Sequence, residues 1–186
     1  MKKIIIIIFI SLSFFSCIER DDIDKKKTKK VNNIDYKLYG KKNKKLWAKS
    51  FLGKKAPNLV VEEWIFRKPD MNNKFILLDF WGTSCHQCRK LVPMLNKLHN
   101  KFKDDLVIIG LSGESKSRIT NFLKKEKMDY YKAYDSKNIT KRKYQIRGIP
   151  HVVIIAPNGI VVWEGYPFLS SDRLTEKKIK KILENK

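Results

Sequence analysis

The sequence predicts an α/β fold, a mixed β-sheet flanked by helices on both faces. Three observations predict it. Short apolar runs of strand length alternate with segments whose apolar residues recur at helical spacing. Near the end, Pro157-Asn158-Gly159 separates two alternating runs and marks an antiparallel hairpin. The length of 186 residues suits one domain with extensions and a sizeable core, and no internal repeat is visible.

Taken in order, Asn58 to Ile65 reads as a first strand and Phe75 to Trp81 as a second, apolar enough to be buried on both faces. A helix from about Cys85 to Phe102 follows, with Leu91, Met94, Leu95, Leu98 and Phe102 on one face and His99 expected at the surface. Leu106 to Leu111 is a third strand. Ser115 to Lys127 is a helix that turns Ile119, Phe122 and Leu123 inward. Tyr130 to Tyr134 reads as a short strand and Asn138 to Tyr144 as a short helix. His151 to Ala156 and Ile160 to Glu164 form the hairpin, and Leu174 to Leu183 closes the chain as a helix with Ser171 or Asp172 as its N-cap.

The net charge of +22 raises nucleic acid as a partner, but 34 of the 41 basic residues are Lys and 7 are Arg. Lys is the poorer residue for bidentate recognition of phosphate or bases, and no basic-aromatic module is present, so nucleic-acid binding is not expected.

The N-terminus bears on compartment. Met1-Lys2-Lys3 precedes an apolar stretch from Ile4 to Phe15, shorter than the ~20 residues a membrane span needs, and so reads as an export signal. Ser16-Cys17 at its end resembles a bacterial lipoprotein cleavage site, which would leave Cys17 as the lipid-bearing first residue. An uncleaved anchor and an ordinary signal peptide are the alternatives. On the lipoprotein reading, residues 1–16 are the signal, 17–45 are the lipidated cysteine with a flexible basic tether, and 46–186 are the folded domain. A tether of this length has an r.m.s. span of roughly 30 Å. The protein is then placed in the cell envelope, lipid-anchored and facing the periplasm or exterior.

The most informative segment is Trp81-Gly82-Thr83-Ser84-Cys85-His86-Gln87-Cys88, two thiols three residues apart at a strand-to-helix junction. Unpaired backbone N–H groups and the positive end of the macrodipole meet at a helix N-terminus and favour a Cys85 thiolate. His86, when protonated, would add to this. A lone Cys-x-x-Cys is shared between redox and zinc sites, so further positions have to decide.

Those positions carry a resemblance to the thioredoxin fold, and most to its exported, membrane-tethered TlpA-like thiol-disulfide oxidoreductases. Asp79 lies six residues before Cys85, Pro93 five after Cys88, and Tyr144-Gln145-Ile146-Arg147-Gly148-Ile149-Pro150 resembles the segment leading to a cis-proline beside the disulfide. Gly53-Lys54-Lys55-Ala56-Pro57 resembles the entry segment of the TlpA-like group. The resemblance implies that Cys85 attacks a partner disulfide, that Cys88 resolves the mixed disulfide, and that Asp79 takes the proton from Cys88. It also implies that Ile149, beside Pro150, pairs its backbone with an extended substrate segment, while Trp81 and His86 border the contact surface. His151 is a second group able to tune the thiolate.

The same resemblance implies no cofactor and no metal. It makes disulfide- or thiol-bearing exported proteins the substrates, a membrane-associated protein the electron donor, and the protein itself a monomer. Reduction is the favoured direction, although His86-Gln87 lacks the proline common between the cysteines of reductive members, Ser84 replaces a frequent aromatic, and Leu91 stands where cytochrome-maturation reductants carry glutamate. A disulfide oxidase or isomerase is the alternative. Two others are a thiol peroxidase, for which Gly82 would have to be Thr, and a metal carrier using Cys85, Cys88 and His151.

Overall fold

A computed structural model of the chain describes residues 37–42 and 44–184. The signal segment, Cys17 and the greater part of the tether therefore lie outside the described residues. The core is a six-stranded mixed sheet with helices, as the sequence predicts. In chain order the strands are β1 (Glu63–Ile65), β2 (Phe75–Trp81), β3 (Leu106–Ser112), β4 (Tyr131–Tyr134), β5 (His151–Ile155) and β6 (Val161–Gly165). Across the sheet they run β1-β4-β3-β2-β5-β6. β2, β3 and β4 are parallel, whereas β1, β5 and β6 join antiparallel.

β2 is central, and this explains its unbroken apolar run: both of its faces are covered. Phe75, Leu77 and Trp81 point to one cluster, with Leu91, Leu95 and Leu98 of helix α1 (His86–Phe102). That cluster also takes Ile119 from α2 (Lys116–Leu123) and Ile179, Ile182 and Leu183 from α4 (Glu176–Leu183). Each such side chain, fully buried, contributes about 1.5–3 kcal/mol. Leu78 and Phe80 point to the opposite cluster, which is closed by Tyr144 and Ile146, just after the short α3 (Ile139–Lys143), and by Ala48, Phe51 and Leu59 of the N-terminal segment.

Three elements differ from expectation. The first strand is only Glu63–Ile65, because Thr140 Oγ1 both accepts from Val60 N (2.8 Å) and donates to Val60 O (2.9 Å), so a side chain takes the place of a ladder. α2 stops at Leu123, where the apolar spacing gives way to Lys124, Lys125, Glu126 and Lys127. The N-cap of α4 is Thr175 rather than Ser171 or Asp172. Ser170–Asp172 forms a separate 3₁₀ turn, and the Asp172 carboxylate is engaged elsewhere.

It accepts from Lys44 Nζ (2.5 Å), Lys178 Nζ (2.5 Å), Trp163 Nε1 (3.3 Å) and Lys41 N (3.2 Å). Burial alone would push the Asp172 carboxyl up, but these donors outweigh it and hold the group below its ordinary value. Lys44, pushed down by the same burial, lies 4.5 Å over the Trp163 ring. A buried charge left without its partner costs about 3–5 kcal/mol, so the pair ties the N-terminal segment to the C-terminal turn. Tyr39 and Gly40 donate their N–H groups to Val162 O at 2.8 and 3.2 Å. Among the described residues, the segment from Tyr39 onward is thus hydrogen-bonded to the sheet.

Candidate redox-active site

The site lies at the carboxyl end of β2, where a central parallel strand hands over to a helix. Cys85 is the N-cap of α1: its backbone is extended (φ −80°, ψ 101°) and its sulfur accepts from Cys88 N at 3.1 Å. Cys85 and Cys88 form a disulfide with Cα atoms 5.2 Å apart. Cys85 is half-buried and Cys88 is 2% exposed. Cys85 is the more accessible of the two.

The loop before Cys85 is held by a residue that sequence reasoning missed. The Glu114 carboxylate accepts from Thr83 N (2.7 Å) and Thr83 Oγ1 (3.0 Å), and it pairs with Arg118 Nε at 3.0 Å. The register of parallel β2 and β3, with Trp81 opposite Ser112, brings the residues that follow the two strands side by side. That juxtaposition was the available signal, and it is invisible without the strand pairing. On the other flank Ile149, half-buried, precedes buried Pro150 through a cis peptide bond. A methyl group placed on Gly82 would lie 3.4 Å from Ile149 Cδ1, so this segment abuts the cysteine loop.

Asp79, 1% exposed, sits on the β2 face that packs beneath α1, whose first turn carries Cys88. Burial pushes its carboxyl up to about 8, and Oδ1 has no hydrogen-bond partner. Trp81 Nε1 and the Tyr130 hydroxyl are likewise buried and unpartnered, and the Tyr130 phenol is raised first by burial and then by Asp79. Gly110, paired with Asp79 in the sheet, makes room for both rings: a Cβ there would stand 3.0 Å from Trp81 Nε1 and 3.1 Å from Tyr130 Cε2.

The comparisons with known proteins fit this geometry. Residues 72–161 match a family model described as thioredoxin-like. The thiol-disulfide oxidoreductase ResA of Bacillus thuringiensis subsp. konkukian is 32% identical over 136 residues, which cover 70% of this chain and 78% of the relative. The chain belongs to the thioredoxin-like thiol-disulfide oxidoreductases. ResA of Bacillus anthracis is 33% identical over 116 residues, covering 60% of this chain and 67% of that one. The fold is shared with the thioredoxin domain of a thiol-disulfide oxidoreductase from Bacteroides vulgatus, at a TM-score of 0.60 and 23% identity over 73% of this chain and 97% of that chain.

Within that family the structure places the expected site residues unevenly. Cys85, Cys88, Ile149 and Pro150 come together, and Asp79 lies on the face that carries Cys88. His86 is exposed between the cysteines. Trp81, expected to border the contact surface, is 4% exposed and packs on Phe122 with ring centroids 5.4 Å apart, so it supports the site from inside. His151 is 3% exposed, stands opposite Phe80 in the sheet, and is lowered to about 4 by burial and then by the charge of Lys44. Its ring contacts Phe80, on the side of the sheet opposite the one that packs beneath α1. His99, expected at the surface, is buried edge-on against Tyr131 at 5.5 Å.

Proposed function

We propose that the chain is an exported, lipid-anchored reductant of protein disulfides. The placement of His151 is the observation that carries the direction: it pairs with Phe80 and faces that side of the sheet, away from the face that packs beneath α1. A Cys85 thiolate is favoured by the helix N-terminus, but the β5 side chains on the α1 face are the apolar Val152 and Ile154, which bring no cation toward it. The less the thiolate is stabilised, the more readily the dithiol gives up its electrons.

In the forward reaction the Cys85 thiolate attacks one sulfur of a partner disulfide, forming a mixed disulfide and expelling the other sulfur as a thiolate. Cys88 then attacks the Cys85 sulfur, releasing the second partner thiolate. Two electrons pass from the dithiol to the partner and the Cys85–Cys88 disulfide is left. Asp79, in its ionised form, takes the Cys88 proton. No cofactor is needed, and a membrane-associated dithiol protein restores the reduced state.

The reduction potential of the Cys85/Cys88 pair tests the direction. A value near or below about −230 mV is expected, and one near about −120 mV would establish an oxidant instead. Cys17→Ser tests the anchor: the variant should leave the membrane fraction that retains the wild type. Retention of Cys17→Ser in washed membranes would point to an uncleaved span.

A further inference from the structure

Among the described residues two large apolar side chains are well exposed, and one of them, Trp47 at 59%, stands beside the redox-active face. Its neighbours in the chain turn inward. Leu46 is half-buried and Ala48 packs against the cluster of Phe80 and Tyr144. An outward position between two inward ones is ordinarily polar. Here it holds the largest apolar side chain available.

The ring is seated rather than loose. Trp47 O accepts from Arg147 N at 2.7 Å and Lys49 N donates to Tyr144 O at 3.0 Å, so the segment runs alongside residues 144–147. It is tied down on either side of Trp47, by Lys44 on Asp172 and by Phe51 N on the Glu164 carboxylate at 3.0 Å. The indole lies over Gly148, where a Cβ would stand 2.6 Å from its Cε3. Gly148 leads directly to Ile149, whose Cδ1 reaches the Gly82 loop before Cys85. Trp47 is thus linked through Gly148 and Ile149 to the Gly82 loop that leads into Cys85.

Resting on the exchange reading above, we propose that Trp47 is a specificity-determining residue: its exposed ring receives an apolar side chain of the extended, disulfide-bearing protein segment that Cys85 attacks. Three features support that occupant. The path from Trp47 through Gly148 and Ile149 ends on the loop that carries Cys85. The ring is held in place before binding, which lowers the entropic cost of contact and is typical of aromatic anchors. The exposed cations Lys45, Lys49 and Arg147 border it, favouring a neutral or acidic segment over a basic one. In an extended chain the residues two before and two after a cysteine project to its own side, so those positions are the ones that meet this path.

The test uses the reduced full-length protein and two synthetic peptides. Each carries one cysteine as a mixed disulfide with thionitrobenzoate, one with Phe and the other with Ser at both positions two residues from the cysteine. Release of the coloured thiolate gives the second-order rate constants. Wild type should prefer the Phe peptide by about tenfold, the effect of one good aromatic contact. Trp47→Ala should bring the ratio to about one, and Trp47→Phe should keep most of it. Gly148→Ala, which displaces the indole, should act like Trp47→Ala. A ratio near one in wild type, or a preference that survives Trp47→Ala, overturns the proposal. A merely structural role would slow both peptides alike and leave the ratio intact. Failure of the wild type to exchange with either peptide would instead overturn the exchange reading itself.

Discussion

Cys85→Ser should reduce insulin-disulfide reduction to the uncatalysed background, a fall of about 10³-fold or more, because a serine hydroxyl is no substitute for a thiolate at neutral pH. Cys88→Ser should fail differently. Its Cys85 still attacks the partner, but no second thiol resolves the product, so the mixed disulfide accumulates and is seen as a larger species on a non-reducing gel. The difference follows from exposure: Cys85 is half-buried at the N-cap and Cys88 is 2% exposed on the inner side of the helix. Equal activity of Cys85→Ser and wild type would remove the catalytic assignment. Accumulation of the mixed disulfide in Cys85→Ser rather than Cys88→Ser would reverse the roles of the two thiols.

Asp79→Asn should stabilise the oxidised protein at pH 7 by about 2–4 kcal/mol while slowing exchange. The folded carboxyl stays protonated up to about 8, whereas in the unfolded chain it ionises near 3.8. Between those values the folded state holds more protons than the unfolded state, so stability contributed by this group falls as pH rises through the window. The amide cannot ionise and should flatten that slope, which urea unfolding at pH 5, 7 and 8.5 measures. In kinetics the ionised carboxylate is the proton acceptor, so the wild-type rate of mixed-disulfide resolution should climb toward pH 8. Asp79→Asn should lose that limb and about 10²-fold in rate. A stability slope unchanged by the substitution would mean that the carboxyl is already ionised in the fold.

The chemistry of the site was legible because it is local. The spacing of Cys85 and Cys88 at a strand-to-helix junction needs only the apolar run of β2 and the periodicity of α1, and both are written in contiguous residues. The β5–β6 hairpin was legible for the same reason. Other features depended on residues far apart in the chain. The first strand was overdrawn because the Thr140 hydroxyl, 80 residues away, bonds to both backbone groups of Val60. The α4 cap was misplaced because Asp172, a good N-cap by type, is claimed by Lys44 and Lys178. The surroundings of His151 were not legible, since nothing in the local sequence says that its ring will be enclosed beside Phe80.

By itself the sequence determined an α/β domain with a thiol pair at the start of a helix, because strand and helix periods and helix-terminus electrostatics act over a few residues. The tertiary structure decided the environment of that pair. Strand pairing brought Glu114 to the cysteine loop and Gly110 beside Asp79, and burial enclosed His151 and withdrew Trp81. It also laid Trp47 over Gly148, far downstream in the chain, at the edge of the reacting face. Desolvation and long-range pairing set these outcomes, and both are properties of the packed chain rather than of any segment in it.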